Sequence, residues 1–221
     1  MKIKAVLFDI DGTLVDSNEQ HVSAWKEAFA RFGWTLAREA IRAQVGKGSD
    51  MLVPALLPAT DEATRQALAA AHGEIFTAMY LPFVRPFPAA SDLLRRTQEA
   101  GKQVVLASSA AQSDLDHYLD LLEAHGIVSE TTSADDVEHT KPAPDIFASA
   151  LGKLSGTGPD QVIVVGDTPY DIEAAMRCGI AAIGLRSGKF PDARLLEPGA
   201  IALYDDAADL LAGFAHSPLA A

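Results

Sequence analysis

Short apolar runs that alternate with helical segments dominate the second half of the chain. Four of these runs read as strands, and each follows a segment with helical spacing of its apolar residues: 103–107, 129–132, 161–165 and 181–184. A fifth run, 3–8, stands near the start. Parallel strands need a crossover connection, usually a helix. The alternation therefore predicts an α/β core, in which a parallel sheet carries helices on both faces.

Residues 16–86 interrupt this alternation, because they carry helical patterns and no convincing strand. Ser17 opens a capping-box pattern with Gln20, so a helix is predicted to begin there. The prolines of 81–88 cannot continue a helix and mark the end of the helical region. We therefore expect two domains: an α/β core of residues 1–15 and 87–221, and an all-helical insertion of residues 16–86.

Composition limits the cellular partners. The 221 residues carry 18 basic and 30 acidic side chains, a formal net charge of −12, which disfavours the phosphate backbone of a nucleic acid. No apolar run approaches the roughly 18 residues of a membrane span, and the first run is too short for a signal peptide. The single cysteine, Cys178, excludes an internal disulfide and fits a reducing compartment. We expect a cytoplasmic protein that binds neither nucleic acid nor membrane.

Two pairs of aspartates follow predicted strands. Asp9 and Asp11 come directly after the first strand, and Asp167 and Asp171 follow the run 161–165. Ligands of open α/β sheets bind beyond the carboxyl ends of the strands, so the four carboxylates are expected at one edge. Like charges this close need compensation. A hard divalent cation supplies it, and Mg²⁺ is the usual choice beside a phosphate.

Groups that bind an anion are expected at the same edge. Lys141 stands in a proline-bounded turn, and Ser108, with Ser109 adjacent, follows the run 103–107. Gly12 permits a sharp turn that brings backbone N–H groups toward a ligand. Carboxylates, a metal site, a cation and a hydroxyl suit phosphoryl transfer, in which catalysis is mostly positioning and neutralisation of charge.

Four segments resemble, in order, the motifs of the haloacid dehalogenase superfamily: Asp9-Ile10-Asp11-Gly12-Thr13-Leu14, Ser108, Lys141-Pro142 and Gly166-Asp167-Thr168-Pro169-Tyr170-Asp171. The resemblance spans essentially the whole chain. It implies a Rossmann-like core, with the helical insertion as a C1-type cap that closes over the substrate. The segments 16–21 and 141–147 are most similar to phosphoglycolate phosphatases and β-phosphoglucomutase-like enzymes.

The resemblance also implies roles for individual residues. Asp9 would be the nucleophile that forms an aspartyl-phosphate, and Asp11 would be the general acid and then base. Asp9 and Asp167 would bind Mg²⁺ through their side chains, and Asp11 through its backbone carbonyl. The other motif residues would hold the phosphoryl oxygens or orient the groups that do so: Ser108 or Ser109, Lys141, Gly12 and Thr13 for the oxygens, and Asp171 for Lys141 and the waters of the metal.

Other activities of the superfamily fit the residues less well. Dehalogenases lack the second aspartate of the first motif, so Asp11 argues against dehalogenation. Lys47 is a nominal Schiff-base lysine for phosphonate hydrolysis, but the first motif has the phosphatase form. A phosphosugar mutase of the β-phosphoglucomutase type is the main alternative, although its cap arginine is absent from segment 46–50. A receiver-like signalling module and an inactive scaffold are less favoured, because Asp11 and all four motifs are present.

The expected function is therefore Mg²⁺-dependent hydrolysis of a phosphate monoester, with a small phosphorylated metabolite as substrate. His21, on the first helix of the insertion, and Lys47, in a glycine-flanked loop, are candidates for substrate contact or gating. Specificity in such proteins lies in loops, so the sequence does not identify the metabolite. A monomer or a weak homodimer is expected.

Overall fold

The computed structural model describes residues 2–221, and its centre is a parallel sheet. Six strands lie in the order β5-β4-β1-β6-β7-β8: β1 (Ala5–Phe8), β4 (Gln103–Ala107), β5 (Val128–Thr132), β6 (Val162–Gly166), β7 (Ala181–Leu185) and β8 (Ala202–Tyr204). Ala5 of β1 pairs with Gln103 on one side and with Val162 on the other, so β1 is central. The predicted Rossmann-like α/β fold is confirmed. The three half-buried residues of β8 are too few to produce a strand pattern, and the sequence does not predict them.

Helices cover both faces of the sheet. One face carries α5 (Ala90–Glu99), α6 (Gln112–Leu121) and α10 (Ala207–Ala212); the other carries α7 (Asp145–Lys153), α8 (Pro169–Arg177) and α9 (Asp192–Leu196). Strand β1 contributes to both apolar clusters, with Val6 and Phe8 in the first and Ala5 and Leu7 in the second. Successive side chains of a strand point to opposite faces, so this doubly covered strand is apolar throughout.

A helical segment separates β1 from the rest of the sheet. It lies between two short strands, β2 (Val15–Asp16) and β3 (Arg85–Pro86), which pair antiparallel. Its helices are α1 (Asn18–Arg31), α2 (Arg38–Arg42), α3 (Ser49–Leu56) and α4 (Glu62–Ile75). Helix α1 packs against α2 and α4, and α3 packs against α4. The chain therefore enters and leaves the helical segment at adjacent positions. The paired strands β2 and β3 form the ribbon that connects this segment to the sheet.

The capping box predicted at Ser17 is wrong. Ser17 stands at the N-cap position of α1, but its side chain caps no amide of the helix. Instead, Ser17 Oγ donates a hydrogen bond to Asp11 Oδ1, at 2.6 Å. A charged acceptor forms a stronger hydrogen bond than a neutral one, and the hydroxyl donates to it. The turn after β1 and the start of α1 are thereby joined.

The end of the helical segment follows the sequence pattern. Asp61 caps α4 by accepting a hydrogen bond from Thr64 N, at 2.8 Å. Helix α4 continues as a π-turn over Phe76–Tyr80 and then as a 3₁₀ turn over Leu81–Phe83. This turn contains the first proline of the segment 81–88. Among residues 2–221, no helix combines the length and the apolar character that crossing a bilayer requires.

Candidate active site

Three residues that follow neighbouring strands meet at the carboxyl edge of the sheet. Asp9 follows β1, Ser108 follows β4 and Asp167 follows β6. Because β1 lies between β4 and β6, Asp9 occupies the middle of this edge. All three side chains are buried. The structure thus brings together residues for which the sequence predicted a common edge.

Lys141 is the buried cation of this edge. Its Nζ donates a hydrogen bond to Asp9 Oδ1 and lies 2.7 Å from Asp171 Oδ1. Only 1% of Lys141 is exposed. Burial opposes the charged form, but Asp171 and Asp9 outweigh it and raise the pKa of Lys141 above its ordinary value. The ammonium group is therefore charged at neutral pH and links the two carboxylates.

Asp167 is enclosed by polar donors and by two glycines. Its Oδ1 accepts a hydrogen bond from Thr13 Oγ1 at 3.0 Å, and its Oδ2 accepts one from Asn18 Nδ2 at 2.9 Å. A Cβ atom at Gly12 would lie 2.1 Å from Asp167 Oδ2, and one at Gly188 would lie 2.3 Å from it. Any larger residue at either position would displace the carboxylate. The glycine of the first motif is therefore required by close packing as well as by its backbone conformation.

The two carboxylate oxygens of Asp171 have different partners. Its Oδ2 accepts hydrogen bonds from Thr168 N at 3.0 Å and from Thr168 Oγ1 at 2.7 Å, which completes a capping box at the start of α8. Its Oδ1 faces Lys141. A Cβ atom at Gly166 would lie 2.5 Å from Asp171 Cβ, so this glycine allows the helix start to approach the strand end. The cap fixes the direction from which Asp171 meets the ammonium group.

Three buried carboxylates converge where a cation would fit. One oxygen each of Asp9, Asp167 and Asp171 lies within 4.8 Å of the others. Burial raises the pKa of Asp9 to about 7, against the opposing effect of Lys141, and burial with Asp9 and Asp171 raises the pKa of Asp167 well above its ordinary value. One lysine leaves excess negative charge among these three acids. Donors that are all carboxylate oxygens match a hard divalent cation, so these residues fit one.

The Asp11 side chain points away from this group and is held on one oxygen. Its Oδ1 accepts hydrogen bonds from Ser17 Oγ at 2.6 Å and from Tyr118 OH at 2.8 Å, and it lies 3.1 Å from His21 Nε2. Burial favours the neutral acid, but His21, Ser17 and Tyr118 together lower the pKa of Asp11. Within residues 2–221, no side chain or amide bonds to Oδ2 of Asp11. Because Asp11 lines the cavity described below, this oxygen is available for proton transfer.

A stack of rings supports His21 from the insertion. His21 Nδ1 lies 3.3 Å from His72 Nε2, and the ring of Phe76 stacks on His21 with 3.8 Å between centroids. Trp25 stacks on His72, at 4.1 Å. Burial lowers the pKa of His72 well below its ordinary value, so this imidazole is neutral. The stack fixes the plane in which His21 meets Asp11.

A cavity of about 260 Å³ lies between the sheet edge and the helical segment. We call its two sides the floor and the roof. The cavity lining of the floor consists of residues that follow strands or begin α6: Asp9, Asp11, Ser108, Ser109, Ala110, Ala111, Asp114, Ala134 and Asp135. The floor also includes three buried residues that are grouped around Asp9 and do not line the cavity: Lys141, Asp167 and Asp171. The roof contains residues of α1, α3 and α4 and of the loop before α3: His21, Trp25, Val45, Gly46, Lys47, Gly48, Ser49, Leu52, Ala69, His72, Gly73 and Phe76.

The remaining predicted residues fall into two groups. Ser108 Oγ accepts a hydrogen bond from Ala110 N at 3.0 Å, whereas Ser109 Oγ is buried and has no hydrogen-bond partner among the described residues. Both serines line the cavity. The amides of Gly12 and Thr13 donate to Val15 O and Ile10 O within the turn.

Lys47 lies in the roof, as its glycine-flanked loop suggested. Its Nζ donates to Gln44 Oε1 at 2.6 Å and stands 4.5 Å from the centre of the Tyr170 ring. Burial lowers the pKa of Lys47. This lysine and His21 are therefore the two roof residues among the sequence candidates.

Two residues of this site were missed at the sequence level. Tyr118 lies on the buried face of α6 with Leu115, and His72 lies in the last turn of α4. Neither belongs to a motif, and only a polar atom on a buried helix face distinguishes them from ordinary core residues. Their partners, Asp11 and His21, are more than 50 residues away in the sequence.

Comparisons with known proteins agree with this geometry. The family of haloacid dehalogenase-like hydrolases matches residues 6–185. A fructose-1-phosphate phosphatase, YqaB of Escherichia coli K12, is 29% identical over 189 residues, which are 82% of this chain and 95% of that protein. A phosphoglycolate phosphatase of Yersinia pestis is 32% identical over 191 residues, 84% of this chain and 82% of that protein.

A solved structure has the same fold over nearly the full length. The crystal structure of a hydrolase from Pseudomonas syringae superposes with a TM-score of 0.90 at 29% identity, and it covers 97% of this chain and 98% of that one. The family match covers the helical segment and every strand of the sheet except β8. The chain therefore belongs to the haloacid dehalogenase-like hydrolases and is an enzyme of the phosphatase type.

Proposed function

We propose that this enzyme is a Mg²⁺-dependent phosphatase that hydrolyses a small phosphate monoester through a phosphorylated Asp9. The observation that carries the proposal is the position of the Asp9 carboxylate. It is buried at the centre of the sheet edge, bonded to Lys141, beside Asp167, and at the floor of a cavity. The names of the relatives, a fructose-1-phosphate phosphatase and a phosphoglycolate phosphatase, support a small phosphorylated substrate.

The first half of the reaction transfers the phosphoryl group to the enzyme. A carboxylate oxygen of Asp9 attacks phosphorus, and the bond between phosphorus and the leaving oxygen breaks. The lowered pKa of Asp11 belongs to the ligand-free site, and the anionic ester beside it favours the protonated form. Oδ2 of that form gives its proton to the leaving oxygen, which releases a neutral alcohol. Ser108 and Ser109 line the cavity and Lys141 Nζ bonds to Asp9, so the two hydroxyls and the ammonium group would balance the charge of the transferring group. The product is an acyl phosphate on Asp9.

The second half restores the enzyme. Asp11, now ionised, removes a proton from a water molecule, whose oxygen attacks phosphorus and displaces the Asp9 carboxylate. Inorganic phosphate leaves, and Asp11 again carries the proton needed for the next cycle. The three donors on Oδ1 keep Asp11 in one orientation through both steps.

The metal would be held by the floor carboxylates. Asp9 and Asp167 would bind it through their side chains, Asp11 would bind it through its carbonyl oxygen, and Asp171 lies next to them. When bound, Mg²⁺ supplies positive charge that offsets the phosphoryl oxygens and keeps the carboxylates ionised. Thr13 Oγ1, 3.2 Å from Asp9 Oδ2 and 3.0 Å from Asp167 Oδ1, spaces the two side chains.

We also propose that residues 16–86 act as a cap domain. Their attachment through the β2–β3 ribbon suits a body that moves as one piece. The roof that they form excludes bulk water from the floor, which strengthens the electrostatic interactions there. The loop before α3 and the ring stack of α1 and α4 would contact the leaving group.

Rapid-quench labelling of Asp9 tests the proposal. A ³²P-labelled monoester with Mg²⁺ should leave a covalent phosphate on the peptide that contains Asp9, and Asp9→Asn should lower turnover by roughly 10³-fold or more. Asp92→Asn, which alters only an exposed ion pair of α5, is the matched control and should keep full activity. Label on another residue, or turnover that survives in Asp9→Asn, would contradict the mechanism.

A further inference from the structure

The loop before α3 and the first turn of α3 form hydrogen bonds with one core residue, Thr140. Asp50 Oδ1 accepts a hydrogen bond from Thr140 Oγ1, and Asp50 Oδ2 accepts one from Thr140 N at 2.9 Å. Gly48 N donates to Thr140 Oγ1, also at 2.9 Å. A Cβ atom at Gly48 would lie 2.5 Å from Thr140 Cγ2, so the Gly48 backbone packs directly against the Thr140 side chain. We call these three hydrogen bonds the clasp.

The clasp holds the residue next to Lys141. Thr140 is 6% exposed, and both its amide and its hydroxyl donate to Asp50. Lys141 follows directly, with its Nζ bonded to Asp9 and 2.7 Å from Asp171. Because Thr140 and Lys141 are neighbours in the chain, a shift of the Thr140 backbone also moves the Cα atom of Lys141. Such a shift changes the position of the ammonium group relative to Asp9.

The same loop is also part of the roof. Gly46, Lys47, Gly48 and Ser49 line the cavity directly before Asp50. A further contact of the insertion with the core lies on another element: Tyr170 OH of α8 donates to Ala43 O. That contact reaches neither Thr140 nor Lys141. Of these two contacts, the clasp is the one that joins the roof to the buried lysine.

Asp50 has an ordinary role as well. It stands in the first turn of α3, where an acidic side chain stabilises the positive end of the helix dipole. Such a role needs no partner in the core. Both carboxylate oxygens are nevertheless used on Thr140, 90 residues away in the sequence. A change of the Thr140 side chain therefore separates the two roles, because it removes two of the three hydrogen bonds of the clasp and leaves Asp50 in place on α3.

We propose that Asp50 is a positioning residue for Lys141 and acts through Thr140. Closure of the roof forms the clasp, and the clasp sets the Lys141 backbone so that the ammonium group meets the phosphoryl group in the transition state. This inference rests on the proposed function, in which Lys141 binds that group. It adds that the enzyme places its buried cation correctly only when the loop is seated on the core.

Kinetics of two clasp variants give the first readout. Asp50→Ala and Thr140→Val should each lower kcat by about tenfold and change KM by less than about twofold, because a misplaced lysine affects the transition state most. The loss should be the same for p-nitrophenyl phosphate and for a phosphorylated metabolite, since Lys141 meets the phosphoryl group of both. Thr140→Ser keeps the hydroxyl and should keep kcat. A role limited to holding the roof closed predicts a raised KM, and this result would overturn the proposal.

Two controls match these variants. Tyr170→Phe removes another hydrogen bond between insertion and core but keeps the ring under Lys47, and Asp61→Ala removes a helix cap inside the insertion. Both should leave kcat within about twofold, because neither residue touches Thr140. If either lowers kcat as much as Thr140→Val, general loosening of the insertion explains the effect and the proposal is wrong.

Acetylation of lysines, followed by peptide mass spectrometry, tests the clasp without turnover. Lys141 should react slowly in the wild type and about tenfold faster in Asp50→Ala and Thr140→Val, the factor expected from the loss of one to two hydrogen bonds. Lys102, a buried lysine bonded to Ile3 O, is the internal control and should not change. An unchanged Lys141 rate overturns the clasp. A changed rate in an enzyme that never forms a phosphorylated Asp9 supports the clasp and overturns only the proposed function.

Discussion

At the floor of the cavity, three buried carboxylates lie on strand ends and on the start of α8, and one lysine lies in the turn before α7. At the roof, aromatic rings, neutral His72 and the half-buried Lys47 lie on helices and a loop. The floor concentrates charge that water cannot reach, and such charge acts on the phosphoryl group of any substrate. The roof offers apolar surface and a few polar atoms, the usual composition of a site that selects a ligand.

This difference separates two kinds of effect. Changes at the floor should alter the rate for every phosphate ester, because they alter the group that all esters share. Changes at the roof should alter the preference among esters, or the stability of the helical segment, and leave the chemistry of a generic substrate nearly intact. Asp11 stands between the two regions, since Tyr118 of the core and Ser17 and His21 of the segment hold the same oxygen.

The largest effect is expected at Asp11. Asp11→Asn keeps the shape and the contacts on Oδ1 but removes the proton that the leaving oxygen needs and the base for the second step. Turnover should fall by about 10²- to 10⁴-fold with both p-nitrophenyl phosphate and a metabolite, as loss of a general acid–base predicts. With the aryl ester, whose leaving group needs little protonation, the phosphorylated enzyme should accumulate. Wild-type turnover in Asp11→Asn would show that another group transfers the proton.

The second effect is the pH dependence of the metal-free floor. Burial raises the pKa of Asp9 to about 7 and also raises that of Asp167, so the folded protein binds protons that the unfolded chain has released. The free energy of unfolding should therefore fall as pH rises from 5 to 8. Mg²⁺ at 100 times its dissociation constant should restore about 2.7 kcal/mol at pH 8 and less at pH 5, where protons compete for the carboxylates.

Urea unfolding followed by circular dichroism, with and without Mg²⁺, measures this dependence. Asp167→Asn removes one of the raised carboxyls and should flatten the pH slope of the metal-free protein. Asp92→Asn, which changes an exposed side chain of α5, is the control and should leave the slope unchanged. A metal-free protein that becomes more stable between pH 5 and pH 8 would show that the floor carboxylates are not strained by their burial.

Much of the floor could be predicted from the sequence, because its residues follow strands. Asp9 and Asp167 come directly after apolar runs, and parallel strands end at one edge, so their proximity follows from the fold. Lys141 follows from no such pattern and was identified by its motif. The family, the α/β sheet and the helical segment could also be predicted from the sequence.

The roof and its supports could not be predicted in the same way. The pair of Asp50 with Thr140 and the pair of Tyr118 with Asp11 depend on tertiary contacts across about 90 and 107 residues. Local spacing carries no signal for such pairs. Ser17 is a further example. Its local pattern predicts a helix cap, but its hydroxyl donates to the carboxylate of Asp11 in the preceding turn instead.

A smaller effect is expected at Tyr118, the support of Asp11 that the core provides. Tyr118→Phe keeps the ring and removes one hydrogen bond to a charged oxygen, so kcat should fall roughly tenfold. That hydrogen bond helps to lower the pKa of Asp11, so its loss should raise this pKa and move the acidic limb of the pH–rate profile to higher pH. Ser17→Ala removes the matching bond from the other region. A Tyr118→Phe profile identical to the wild type would assign the control of Asp11 to Ser17 and His21.

Selection by the roof is tested at Lys47. Lys47→Met keeps an unbranched apolar chain on Tyr170 and removes the roof cation. KM for phosphoglycolate, which carries a second anionic group, should rise several-fold more than KM for a hexose phosphate, about 1 kcal/mol at a partly exposed pair. The kcat for p-nitrophenyl phosphate should stay within about twofold. An equal loss of activity with all three esters would show that Lys47 acts on the phosphoryl group that they share, as the floor residues do.

The smallest effect belongs to the outer surface of the helical segment. Glu19 of α1 accepts hydrogen bonds from Arg42 and Arg38 of α2, which lower its pKa to about 2. A lowered carboxyl pKa stabilises the fold above the unfolded value of about 4.5, and this stability disappears as pH falls toward 2. The Glu19 side chain is 37% exposed, so water screens the pair and Glu19→Gln should lose less than about 1 kcal/mol at pH 7. Urea unfolding at pH 7 and pH 3 should show that the difference between wild type and variant is clearly smaller at the lower pH, opposite in sign to the dependence of Asp9. A difference of the same size at both pH values would mean that packing of the Glu19 stem, and not its charge, joins α1 to α2.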